Sequence, residues 1–265
     1  RYKEVPLAEF AFSQGLKVEQ PQTFNDPDVL AVLESYNPDL LVVVAYGLIL
    51  PRKVLEIPKE FSINVHGSFL PFWRGAAPIN HAIFNKDPYT GVTIIKMSEE
   101  LDAGPILRQE KVMLDHSETF GSLHRVLSEI GAKNLLKTLT NYNSNEKILQ
   151  NEKFVSYAPK IKKLDAKLDF NSQASALEAR IRGLAPKPGA WFEYKKERFK
   201  VFSAEVVEGN GKAGTIINEN LTIACGKKAL NILEIQRQGK DVMSVSDLLR
   251  GFKFKKGDNV NQSTH

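Results

Sequence analysis

Apolar positions in the first half of the chain follow two periods. Residues 28–33 (DVLAVL) have helical spacing, follow the start signal Asp26-Pro27 and are closed by Pro38. Residues 40–45 (LLVVVA) form a short, continuous, β-branched run, which predicts a strand buried on both faces. Residues 61–66 (FSINVH), 90–97 (TGVTIIKM) and 106–114 (ILRQEKVML) predict three further strands. Between them, residues 78–86 (PINHAIFNK) read as a short helix with proline in its first turn, and residues 118–139 as a long amphipathic helix. Strands alternating with helices predict an α/β fold with an open, Rossmann-like sheet. The front end departs from that scheme. Residues 1–16 look helical and only residues 16–19 could form a strand, so the sheet reads as lacking its first strand–helix unit.

Residues 141–153 (NYNSNEKILQNEK) are polar and carry four asparagines, a composition shift that marks a boundary. We therefore expect a first domain over residues 1–140, a linker over 141–158 and a second domain over 159–265. The second domain opens on a helix at 172–184. Short segments follow, set apart by glycines: 199–207 (FKVFSAEVV), 214–217 (GTII), 221–225 (LTIAC) and 229–236 (ALNILEIQ), with a last short helix at 246–250. Regular short strands with turn signals predict a small, OB-like β-barrel.

The composition, 42% hydrophobic and 25% charged over 265 residues, excludes a disordered, collagen-like or coiled-coil chain. The longest apolar run, residues 40–50, is 11 long. A spanning helix needs about 20, so none is expected. No apolar leader is visible at the N-terminus, and the first residue is not Met, which reads as a trimmed chain. The single Cys225 allows neither an internal disulfide nor a thiolate metal site, and a reducing compartment is the natural setting. Charge is divided unevenly. Residues 1–158 hold 16 basic and 19 acidic side chains, a net of −3, whereas residues 159–265 hold 20 and 12, a net of +8. A polyanionic partner for the second half and a solvated lysine surface explain this equally well.

The densest chemistry is at residues 64–78. Asn64 and His66 stand two apart at the end of a strand, so both leave it on one face. In open α/β sheets ligands bind in the crevice beyond the strand ends. Alone, the pair also fits a strand end whose polar groups cap a loop. Asp102, in the sequence LDAGP after the next strand, could reach the same crevice and orient the imidazole; it could equally be a turn aspartate before glycine. Ser68 lies in no G-x-S-x-G elbow, so no nucleophile is evident. Direct acyl transfer suits such a set: an amine attacks a carbonyl, Asn64 and His66 donate to the oxyanion, and Asp102 governs the proton. His81, His116 and His124 show no metal spacing and no phosphate loop is present, so no metal is expected.

The run NVHGSFLPFWRGAAPINHAI, with GVTIIKM and LDAGPIL after it, resembles the formyl-transfer site of the family that uses 10-formyltetrahydrofolate. The family pattern N-x-H, S-[LF]-L-P, R-G-A-x-P, L-D-x-G is present in order. This resemblance implies a catalytic trio of Asn64, His66 and Asp102. It also implies a folate site made by Val44, Ala45, Tyr46, Gly47, Leu48, Ser68, Leu70, Pro71 and Leu101. The segments YAPKI (157–161), IRGLAPKPGA (181–190) and LNILEIQ (230–236) are similar to the branch whose acceptor is initiator methionyl-tRNA, over residues 1 to about 255. By the same resemblance about fifty residues are absent from the front, a strand–helix–strand unit and a basic loop. The basic residues Lys160, Lys162, Arg180 and Arg182 would then face tRNA, with Arg74 either placing the acceptor end or stabilising its own loop. A monomer in the bacterial cytoplasm is the expected setting, with the mitochondrial matrix as the alternative. Formylation of an amino-sugar nucleotide and a non-catalytic RNA-binding relative are the competing readings.

Overall fold

The computed structural model describes residues 6–47, 50–140 and 146–261. In chain order the first half runs α1 (Pro6–Ser13), α2 (Pro27–Ser35), β1 (Leu40–Val44), α3 (Arg52–Leu55), β2 (Phe61–His66), β3 (Arg74–Gly75), α4 (Pro78–Phe84), β4 (Tyr89–Lys96), β5 (Ile106–Met113) and α5 (Phe120–Thr140). The start of α2 is set as its sequence predicts: the Asp26 carboxylate accepts from the Asp28 amide, and proline occupies the first turn. The sheet has the order β1-β2-β4-β5, with β1 and β2 parallel and the other two pairs antiparallel. Ile63, Val92 and Ile94 pack with Ile79 and Ile83 of α4 and with Leu123 and Leu127 of α5. Each such side chain stabilises by about 1.5–3 kcal/mol when fully buried.

Two expectations at the front end are corrected. No strand forms at residues 16–19. Nor is β1 buried on both faces: Val42 is 38% and Val44 54% exposed. Among the described residues β1 pairs with β2 alone, and its other side opens onto an apolar groove of about 600 Å³ lined by Leu7, Phe24, Val29, Val32 and Tyr36.

The second half runs β6 (Tyr157–Ala158), α6 (Ala174–Leu184), β7 (Ala190–Tyr194), β8 (Glu197–Val207), β9 (Thr222–Ala224), β10 (Ala229–Arg237), β11 (Val242–Ser244) and α7 (Val245–Gly251). β7, β8, β10 and β11 form an antiparallel path, and β9 shares the β11 side of β10. Register shifts against β8 at Ile232, Glu234 and Ile235 bend β10 and curl the sheet into a partly open half-barrel. Its core is aromatic, with Phe170, Phe192, Phe199 and Phe254 in contact. The strand expected at 214–217 is reduced to isolated bridges from Thr215 to Asn259 and from Ile216 to Ile223.

The two halves meet through α6 on α4. Asn80 Nδ2 donates to the Gly183 carbonyl at 2.6 Å, and a Cβ at Gly183 would come within 2.5 Å of the Phe84 ring. The segment expected as a linker lies against the first sheet: Ile148 exchanges both backbone hydrogen bonds with Ile106, and β6 pairs in parallel with β3.

Candidate active site

β2 delivers Asn64 and His66 to one face, as its period of two requires, and its register sets them beside Ile95 and Thr93 of β4. The turn between β4 and β5 brings Asp102 back over them. The Asp102 carboxylate accepts from Asn64 Nδ2 at 3.1 Å and from the Gly75 amide at 2.8 Å, and its Oδ2 lies 3.5 Å from His66 Nδ1. On the far side of the ring, His66 Nε2 stands 2.9 Å from the Trp73 carbonyl. A carbonyl only accepts, so Nε2 carries the hydrogen and Nδ1 faces the carboxylate. His66 is buried and Asp102 nearly so. The three residues singled out in the sequence therefore converge.

The loop from Gly67 to Ala77 supplies the rest of the cradle. Trp73 has φ +63°, unusual for a bulky residue. Three hydrogen bonds flank that backbone: its amide donates to Ser156 Oγ, its indole donates to Asp87, and its carbonyl meets His66. Gly75 has φ +118°, and a Cβ there would lie 2.8 Å from the Ala158 carbonyl, so only glycine lets its amide reach Asp102.

The proposed folate residues divide into two groups. β1 pairs Val43 with Asn64, so Val44, Ala45, Tyr46 and Gly47 leave the sheet beside the site, all exposed, while Leu101 is exposed on the facing turn. Val44 and Tyr46 line the apolar groove on the open side of β1, where the Tyr46 ring stands 6.0 Å from that of Phe24. Leu48 lies outside the described residues. Ser68 and Leu70 turn their side chains into the loop. Ser68 is fully buried and its hydroxyl donates to the Phe72 carbonyl; Leu70 packs with Ile95 and Ile106. Both shape the loop from within. Pro71 is half-buried between them and Phe72.

The basic residues also divide. Arg74 is 0% exposed and donates to Gln150 and Glu152. Burial opposes its charge, yet Glu152 outweighs burial and holds the guanidinium above its ordinary value. Arg182 is bound to Glu178 and to the Glu118 carbonyl. Arg180 donates to the Asp165 carbonyl and lies over the Phe84 ring; burial lowers its guanidinium, partly offset by Asp165. All three arginines have internal acceptors, and the buried Arg74 stabilises its own loop. Lys160 and Lys162 are exposed and form no ion pair among the described residues. Among the described residues no three His, Cys, Asp or Glu side chains are grouped to hold a metal.

Sequence reasoning missed the supports of this site: the Trp73 carbonyl, the Gly75 amide, Ser156 and Gln150. Gln150 sits in a polar stretch whose composition signals only a boundary.

Comparison with known proteins matches these halves to two family models, "Formyl transferase" over residues 3–139 and "Formyl transferase, C-terminal domain" over residues 160–253. An open sheet carrying an Asn-His-Asp site, joined to a curled second sheet, is thus the architecture of a two-part formyl transferase. A curated protein of Paramagnetospirillum magneticum, named methionyl-tRNA formyltransferase, is 41% identical over 255 residues, covering 95% of this chain and 84% of that one. The chain belongs to the methionyl-tRNA formyltransferase branch of the formyl transferase family. Solved structures share the fold. HypX from Aquifex aeolicus in complex with tetrahydrofolic acid has a TM-score of 0.65 at 20% identity, covering 88% of this chain and 44% of that one. An N-formyltransferase from Helicobacter canadensis in complex with folinic acid and dTDP-3-aminofucose has a TM-score of 0.63 at 19% identity, covering 85% and 82%.

Proposed function

We propose that this protein transfers a formyl group from 10-formyltetrahydrofolate to the amino group of initiator methionyl-tRNA, the modification that prepares it for translation initiation. The convergence of Asn64, His66 and Asp102 carries the reading, because it supplies oxyanion donors and a proton acceptor without a protein nucleophile. The folate co-substrate supplies a formyl group on nitrogen. The chain's own residues do the rest. Asn64 Nδ2 has a second hydrogen free to donate to the formyl oxygen, and His66 donates beside it by turning its Nε2 hydrogen from the Trp73 carbonyl to the oxygen on which charge develops. Asp102 takes the proton that the attacking amine loses and returns it to the departing folate nitrogen. One C–N bond forms and one breaks, with no net redox change. Val44, Ala45, Tyr46, Gly47 and Leu101 hold the folate.

The tRNA binds across the second half, whose net charge of +8 supports phosphate contacts, with Lys160 and Lys162 as its free cations near the site. The enzyme works as a monomer. It acts where initiator tRNA is charged, in the bacterial cytoplasm or, for an organellar copy, the mitochondrial matrix. No helix among the described residues is long and apolar enough to cross a membrane.

The test is a competition assay with formyl donor, initiator methionyl-tRNA and an amino-sugar nucleotide, read by product mass. Formyl-methionyl-tRNA is the expected product. Formylated sugar nucleotide in its place would move the chain to the other acceptor class, and no product from a folded protein would refute the reading.

A further inference from the structure

The Asp102 carboxylate is held by Asn64 and Gly75, but its backbone is held from elsewhere. Asp102 has φ +51°, a left-handed conformation that a non-glycine residue keeps only where its surroundings enforce it. The enforcing group is Gln150, forty-eight positions on, in the segment between the two family domains. Its Nε2 donates to the Asp102 carbonyl at 2.7 Å and to the Gly104 carbonyl at 2.8 Å. Its Oε1 accepts from Arg74 Nε at 3.0 Å. Two carbonyls on one side and a guanidinium on the other leave the amide a single satisfactory orientation. Arg74 is fixed in turn by Glu152 at 2.8 Å and approaches Glu100, in the same turn as Asp102, at 3.7 Å.

We propose that Gln150 is a positioning residue for the transfer reaction: it sets the turn that aims Asp102 at Asn64 and His66. The proposal rests on the functional reading above. It follows from chemistry as well as distance. A glutamate of the same length would turn a carboxylate oxygen toward two carbonyls, and an asparagine would fall short of them by one methylene. Methionine would keep the volume and lose all three hydrogen bonds. The Gln150 side chain hydrogen-bonds neither the Asp102 carboxylate nor His66; it acts through the backbone of the turn.

The experiment compares wild type, Gln150→Met and Gln150→Glu in the full chain, with kcat and KM for both substrates normalised to folded protein. A 1 Å misplacement of a catalytic group can cost about 100-fold in rate. Both variants should therefore lose about 10- to 100-fold in kcat, with each KM within about twofold and a melting temperature within a few degrees of wild type. A role in folding alone would lower the amount of folded protein and leave normalised kcat intact, and that result overturns the proposal. So does a rise in KM at constant kcat, which would make Gln150 a binding residue. If Gln150→Met does not fold, the isosteric Gln150→Glu decides by the same criteria. An inactive wild type would instead refute the functional reading, and is distinguished by the first column of the same assay.

Discussion

Gly104 offers a quantitative test of how rigidly the turn carrying Asp102 is seated. A Cβ built on Gly104 would stand 1.7 Å from the Lys96 carbonyl oxygen, and real Cβ atoms essentially never approach closer than 3.0 Å. Gly104→Ala must therefore open a gap of at least 1.3 Å, the difference of those two distances. The obstacle is backbone rather than a flexible side chain. Lys96 ends β4, and its amide already donates to the Pro105 carbonyl at 2.9 Å. The strand is fixed by β2 and β5 on both sides, so the turn is what moves. A shift of that size, two residues from Asp102, breaks hydrogen bonds of 2.8 and 3.1 Å to Gly75 and Asn64. Overpacking of this kind costs about 1–3 kcal/mol of stability. At about 2–4 °C per kcal/mol the melt falls only modestly. Rate should suffer far more, by about 100-fold in kcat. Single-turnover formylation of methionyl-tRNA, alongside a thermal melt, separates the two. Wild-type kcat in Gly104→Ala would refute the claim that the placement of Asp102 limits the reaction.

Further outcomes follow from individual contacts. His66→Ala and Asn64→Ala should each lower kcat about 100- to 1000-fold with the melt preserved, as loss of an oxyanion donor does; a folded His66→Ala variant with full activity would end the assignment. Arg74→Met should cost about 1–3 kcal/mol in urea unfolding, because Gln150 and Glu152 lose a buried donor, and an unchanged midpoint would contradict that role. Lys160→Glu with Lys162→Glu should weaken tRNA binding and reduce the slope of log affinity against log salt by about two, whereas folate affinity stays the same; an unaltered slope would make those lysines a solvated surface. Burial pushes the Cys225 thiol from 9.0 up to about 11. The unfolded chain then releases this proton first, so Cys225 should subtract stability as pH rises between those values, and alkylation of native protein should stay slow below about pH 11; fast native alkylation at pH 9 would show the site open.

What the sequence made legible, and what it did not, divides along physical lines. Asn64 and His66 could be paired from spacing alone, because a strand's period of two is a local rule that tertiary packing does not alter. Asp102 needed the neighbouring antiparallel strand, and the motif resemblance supplied it where geometry left two readings. β1 was misread as buried on both faces because a β-branched run reports a strand's preference for cover, not whether another element provides it. Gln150 carried no signal at all. Its amide acts at positions 74, 102 and 104, a reach that no period or motif records.

The arginines show why charge was the least legible quantity. The sum over residues 159–265 is a sound statement about the field a polyanion meets at a distance. It says nothing about which cations remain available on contact. Arg180 and Arg182 sit on the helix that packs against the first half, and each finds a carbonyl or carboxylate within reach. Their planar, multidentate guanidinium groups suit such internal cross-links, whereas a compact ammonium group on a flexible stem more readily stays hydrated. Lys160 and Lys162 follow that rule. They lie just beyond β6, the strand that pairs with β3 and brings Ala158 against Gly75, whose amide holds Asp102. A phosphate drawn to those lysines would therefore be placed next to the segment that supports the catalytic loop. If Lys160 and Lys162 do bind the acceptor, its binding and the alignment of the site would depend on the same short stretch of chain.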